Sequence, residues 1–319
     1  MVWLTGGLGL VILLLAGDLL VRGAVNLALR VGVPALIVSL TIVAFGTSAP
    51  ELLISIKAVL SDAPGLAFGN VVGSNTANVL LVLGVPALMS TLATSGSDTR
   101  KSYLTMIGAT LVFMVLCFLA PLTWWHGIIL LTVLAIILFD QAMEAIRHRR
   151  SSKAAAEEEE EEVEGAEPGI PGWKIGFFIV LGIVGLPLGA DLFVESAVEI
   201  AEMFGVSDEV IGLTLVALGT SLPELATVLM AAIRREADVA LGNVIGSNIF
   251  NLLAILGVAT LVGPIPVTSP LSIDILAMLA ASLLLAPFVF SNKMNLTRGW
   301  GLLLSALYVL YIIVVVQYG

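Results

Sequence analysis

Charge is scarce in this sequence: Asp, Glu, Lys and Arg make up 12% of its 319 residues, against 59% hydrophobic. With a mean hydropathy of +1.08 there is too little polar surface to coat a soluble globule, and no nucleic-acid partner is expected. A single cysteine, Cys117, excludes an internal disulfide. The two histidines, His126 and His148, are both read as loop residues, so Ser48 has no imidazole partner and an intramembrane hydrolase becomes a remote reading. The opening residues lack a basic flank, so the first apolar run reads as a retained span and not a cleaved signal. No lipidation motif is present. The net charge of −10 comes mostly from one local run, Glu157 to Glu162 with Glu164 and Glu167.

What is abundant is long apolar sequence. Crossing the hydrocarbon takes roughly 20 residues of helix, and unalternating runs of this length do not suit a barrel. Hydropathy and helix breakers place spans near 3–21, 33–58, 66–90, 103–120, 124–144, 174–196, 206–233, 239–262, 271–290 and 299–317. The expected fold is an all-α integral membrane protein of ten transmembrane helices. Residues 147–172, with a basic cluster, the glutamate run and two prolines, read as a solvated linker between a first unit, 1–146, and a second, 173–319.

The two units are copies. Asp18 pairs with Asp191, Glu51 with Glu224, Asn78 with Asn251 and Gly84 with Gly257, all at one constant offset, and between Leu40 and Gly84 roughly half the paired positions are identical. Five spans per copy is an odd number, so the second copy must enter the membrane from the opposite side; the repeats are inverted. Lys and Arg fall in alternate connections, Arg22 and Arg30, Arg100 and Lys101, Arg147 to Lys153, Arg234 and Arg235, Lys293 and Arg298. These are expected to be cytoplasmic, which leaves both termini extracytoplasmic and the acidic linker inside.

The polar residues that remain sit in two duplicated blocks. Gly46-Thr47-Ser48-Ala49-Pro50-Glu51 returns as Gly219-Thr220-Ser221-Leu222-Pro223-Glu224, and Gly69-Asn70-Val71-Val72-Gly73-Ser74-Asn75-Thr76-Ala77-Asn78 returns as Gly242 to Asn251. On a helix, Thr47, Ser48 and Glu51 present oxygen to one side, as do Ser74 and Asn78. Pro50 and Pro223 remove a donor inside the run and free the Gly46 and Gly219 carbonyls. Gly69 and Gly73, with Gly242 and Gly246, have the spacing that brings helix backbones close, expected to set Ser74 and Asn78 against the Glu51 helix. A carboxylate inside the bilayer costs roughly 2.5–3.5 kcal/mol, and no Lys or Arg is placed to offset two of them. An all-oxygen donor set without His or Cys suits hard cations, calcium above all and sodium equally in kind. Asp18 and Asp191, near span ends, are read mainly as capping or snorkelling groups, and Trp124, Trp125, Trp173 and Trp300 as interfacial anchors.

These paired blocks resemble the alpha-repeats of the sodium/calcium exchangers within the cation/calcium exchanger superfamily, and the likeness spans essentially all ten predicted helices. The resemblance implies an antiporter, not an enzyme, that carries calcium out of the cytoplasm against sodium, with no cofactor and with the two ions and the lipid bilayer as partners. It implies calcium ligation by Glu51, Glu224, Thr47 and Thr220, and sodium ligation by Ala44, Ser48, Ser74, Asn78, Ala217, Ser221, Ser247 and Asn251 together with the two glutamates. It also implies a multi-pass protein of the cell membrane. Proton-coupled relatives tend to carry Gly-Asn-Ala-x-Glu where Gly-Thr-Ser-x-Pro-Glu stands here, which favours sodium coupling. Asn at both central positions disfavours potassium co-transport. A proton/calcium antiporter is the alternative reading and a cation channel the remote one.

Overall fold

The computed structural model describes residues 2–94, 99–155, 170–204, 217–267, 269, 272–291 and 293–318. The chain is helical. The elements are α1 (Val2–Val31), α2 (Ala35–Thr47), α3 (Ala49–Leu60), α4 (Pro64–Met89), α5 (Arg100–Cys117), α6 (Trp124–Ala155) and α7 (Gly172–Met203), then a single turn at Ala217–Gly219, α8 (Leu222–Ile233), α9 (Ala237–Val262), α10 (Ile273–Phe290) and α11 (Arg298–Tyr318). Among the described residues eight helices are long and apolar enough to cross a membrane, or nine if α2 and α3, bent by 42° at their junction, form one span. The expected span 206–233 is only partly described, because residues 205–216 lie outside the described residues.

Several sequence boundaries move. The first helix runs on to Val31, through Asp18 and Arg22, instead of stopping near residue 21. Helix α6 continues to Ala155, so Arg147 to Lys153 belong to a helical extension and not to a linker that begins at residue 147. His126 and His148 therefore lie on that helix and not in loops. His126 is buried, its Nδ1 accepting from the Thr123 backbone N–H at 2.9 Å and its ring stacked on Trp125. The glutamate run falls outside the described residues.

Helices α4 and α9 are the most buried, while α6, α11 and α7 turn most of their apolar length outward. A helix exposing Leu, Ile and Phe all along one side is what lipid contact requires. Trp124 and Trp173 are exposed, as anchors should be, but Trp300 packs edge-on against Phe288 with ring centroids 5.1 Å apart. Glycines let α1 and α7 cross closely: a Cβ on Gly9 would lie 2.6 Å from the Phe193 backbone nitrogen, and one on Gly189 2.8 Å from that of Leu13. Helix α9 presses on α2 in the same way. A Cβ on Gly246 would sit 2.6 Å from the Leu40 carbonyl oxygen, and one on Gly242 2.9 Å from Ser39 Cβ.

This close approach corrects one expectation, since the Gly242–Gly246 pair brings α9 against α2 of the other half, upstream of the glutamate helix. At Gly69 and Gly73 an added Cβ would meet no described atom within 4 Å, so this pair makes no such approach among the described residues. Two isolated antiparallel bridges, Leu92 with Leu296 and Leu122 with Ile265, further tie loops of one half to loops of the other.

Candidate cation site

The carboxylates stand at helix beginnings. The chain breaks at Ser48 (φ −86°, ψ 5°) and again at Ser221 (φ −88°, ψ 2°), and each serine caps a new helix whose second residue is proline. Proline is tolerated there because first-turn N–H groups have no intrahelical acceptor. The expectation of one helix carrying Thr47 and Glu51 on a common face is thereby replaced: they belong to successive helices, and Pro50 starts the second instead of kinking one. Glu51 and Glu224 occupy first turns, where the positive end of the helix favours a negative charge.

Both carboxylates are shut away, Glu51 1% and Glu224 0% exposed, and they lie within electrostatic range of each other. The halves interlock here. Ser48 of the first block donates to Glu224 Oε1 at 3.1 Å, and Ser247 Oγ lies 3.5 Å from the same oxygen. Thr47 Oγ1 lies 3.4 Å from Ser247 Oγ, and it also approaches Asn243 Oδ1 at 3.2 Å and the Ala44 carbonyl at 3.3 Å. Of the residues expected to surround sodium, Ser74, Asn78, Ser221 and Asn251 are buried, and Ala217 opens the single turn before Ser221. Thr220 is buried beside them. The Ala44 carbonyl already accepts the Ser48 N–H at 3.0 Å.

At Asn78 and at Asn251 the backbone widens into a π turn, over Asn78–Val82 and Asn251–Ile255. Such turns insert an extra residue into the helix and recur at functional sites. They place the two central asparagines alike in α4 and α9. A third π segment, Ser39–Val43, precedes the Thr47 block.

Polar atoms without a hydrogen-bond partner gather here. Glu51 Oε2, Glu224 Oε2, Asn78 Oδ1, both amide atoms of Asn251 and Ser221 Oγ are all buried and unpartnered among the described residues. Leaving an ordinary buried polar group unmet costs about 1–3 kcal/mol; all but Asn251 Nδ2, a donor, are oxygens, which fits a cation better than a packing accident. No group of three or more His, Cys, Asp or Glu occurs among the described residues. The donor set is instead two carboxylates among neutral oxygens, whose charge balances a single divalent ion or is shared by monovalent ones.

Asp18 is not part of this set. It is held by Arg22 (3.3 Å) and by Arg234, which caps the C-terminal end of α8, whereas Asp191, its counterpart, is exposed. Three residues that the sequence reading passed over do belong near the site: Asn243, beside Thr47, and Asn75 and Asn248, which connect to Asn78. Their signal was the repetition itself, Asn70 matching Asn243 and Asn75 matching Asn248 inside the duplicated blocks.

Comparison with known proteins points to one family. The family model described as sodium/calcium exchanger protein matches residues 1–143 and 174–317. The sodium/calcium exchanger MaX1 of Methanosarcina acetivorans is 37% identical over 96% of both chains, and the putative antiporter CaxA of Alkalimonas amylolytica is 38% identical over 80% of this chain and 79% of its own. Among solved structures, the sodium-calcium exchanger NCX_Mj soaked with sodium and strontium superposes with a TM-score of 0.80 at 32% identity, over 97% of this chain and 96% of that one.

Proposed function

This chain belongs to the sodium/calcium exchanger family, and on that premise we propose that it is a secondary antiporter that moves calcium out of the cytoplasm against sodium by alternating access. Its ten membrane helices form two inverted five-helix repeats joined by a cytoplasmic acidic linker, with both termini outside and the protein resident in the cell membrane. Support for the repeat comes from the constant offset between the blocks and from the matching breaks at Ser48 and Ser221 and π turns at Asn78 and Asn251.

Calcium is bound between Glu51 and Glu224 with help from Thr47 and Thr220. Sodium ions use the same glutamates with Ser48, Ser221, Ser74, Ser247, Asn78, Asn251 and the Ala44 and Ala217 carbonyls. The observation that carries this is the pair of buried glutamates, each with an unpartnered oxygen, with Ser48 of the first half donating across to Glu224 of the second. Two carboxylates that repel when empty are offset by two positive charges, so the empty site resists reorientation and the two ions compete for one set of oxygens.

Flux decides the matter. Proteoliposomes loaded with sodium and diluted into sodium-free medium take up calcium, and Glu51→Gln or Glu224→Gln abolishes the uptake. Uptake driven by a proton gradient without sodium would instead identify a proton antiporter. Currents that need no counter-ion would identify a channel.

A further inference from the structure

Between α4 and α9, three asparagines, Asn75, Asn78 and Asn248, form a chain in which each side-chain orientation follows from the last. Asn248 Nδ2 donates to the Asn75 backbone carbonyl at 3.4 Å and lies 3.7 Å from Met106 Sδ. A carbonyl only accepts, so the amine end of Asn248 must face it and the oxygen end must face the other way. That oxygen, Oδ1, accepts from Asn78 Nδ2 at 3.1 Å. Asn78 has thus committed its amine, and its Oδ1, buried and without a partner, is the end left over. A reversed Asn78 would turn an N–H toward the cation site and an oxygen toward another oxygen.

The second copy has the same parts. Asn75 Nδ2 donates to the Asn248 backbone carbonyl at 3.2 Å, which fixes Asn75 with its oxygen facing away. Asn75 Oδ1 has no partner, and neither does Asn251 Nδ2. Those two atoms are the repeat counterparts of Asn248 Oδ1 and Asn78 Nδ2, which are bonded in the other copy.

We infer that Asn248 is a positioning residue: it binds no ion itself, but it fixes the carbonyl end of Asn78 toward sodium. The inference rests on the site proposed above. It goes beyond it in assigning a role to a side chain outside the ligand set and in making the two arms unequal: Asn78 is set by Asn248, while neither amide atom of Asn251 has a partner among the described residues. Sodium depends on these amide oxygens, and calcium draws mainly on the two glutamates and the threonines.

A double-mutant cycle tests it. Purified full-length protein in detergent is titrated with sodium and, separately, with calcium, and binding is read as thermal stabilisation. Asn248→Ala is expected to raise the sodium half-saturation about tenfold, which corresponds to roughly 1.4 kcal/mol, and to move that for calcium less than threefold. Asn78→Ala combined with Asn248→Ala is expected to be no worse for sodium than Asn78→Ala alone, because the second acts through the first. Additive losses, or equal loss of both ions, would overturn the assignment. If Asn248→Ala does not fold, Asn248→Gln, which keeps both amide ends one methylene displaced, goes through the same cycle with the same two outcomes. Wild-type protein stabilised by neither ion would remove the exchanger reading and this inference together, whereas normal wild-type binding with an additive cycle removes the inference alone.

Discussion

Ser48 donates to Glu224 at 3.1 Å, so the hydroxyl that stands three residues before one glutamate is committed to the other. The first half therefore contributes directly to the glutamate of the second, while the matching Ser221 hydroxyl has no partner among the described residues. A carboxylate buried at 0% exposure, with one oxygen served by hydroxyls and the other unmet, is in balance only when positive charge is near.

From this it follows that Glu224→Gln uncouples stability from ions. The variant is expected to melt at the same temperature as wild type or higher in ion-free buffer, since burying a charge inside the bilayer costs roughly 2.5–3.5 kcal/mol. It should also lose the stabilisation that calcium gives wild type. Thermal melts with and without calcium check both halves of the statement, and a variant still stabilised by calcium as strongly as wild type would contradict it.

Removing ions from the wild type should have the opposite effect. At a hundredfold excess over the dissociation constant a bound ion adds about 2.7 kcal/mol, so chelation of calcium in sodium-free, potassium-containing buffer is expected to lower the melting temperature by several degrees. Sodium alone should restore it. Equal rescue by potassium would show that the site does not select as its small oxygen cage suggests.

Asp18 is bridged to Arg234 and Arg22, with about a fifth of the Asp18 and Arg234 side chains exposed. At the matching offset the opposite half has Asp191, Glu195 and Ser61, which contain no cation. Breaking a buried pair costs about 3–5 kcal/mol, while an exposed one contributes 0.2–1; partial burial puts Arg234→Gln at about 1–2 kcal/mol. Glu195→Gln, at an exposed position, should stay within about 0.5 kcal/mol of wild type. Denaturation monitored in detergent distinguishes these outcomes, and equal effects would mean the one-sided link carries no stability.

The α2–α9 contact predicts a sharp positional difference for glycine. Gly246→Ala would set a Cβ 2.6 Å from the Leu40 carbonyl oxygen, against backbone that cannot swing aside. A loss of about 1–3 kcal/mol is expected, with reduced yield. Gly176→Ala, where no atom lies within 4 Å, should be neutral or slightly stabilising in its helix. Comparable melting temperatures for the two would show that α9 and α2 do not pack this closely.

Composition, period and repetition made the helical membrane body, the two copies and the buried glutamates legible, because scarcity of charge and exact recurrence are properties of the chain before it folds. Pro50 was legible only as a breaker. Whether a proline bends one helix or begins another depends on the Ser48 torsions, and these are set by how α2 and α3 pack. Likewise Asp18 and Asp191 look alike as letters; Arg22 stands one turn after Asp18 in the sequence, but only the approach of α8 adds Arg234. Asparagine amides show the limit best: an amide is nearly symmetric in shape, so which end Asn78 turns toward the site is decided by Asn248, and Asn248 by a carbonyl on the facing helix. The sequence by itself determined which groups must be buried together; tertiary structure decided which atom of each faces the cation, since hydrogen-bond direction exists only once partners from both halves have met.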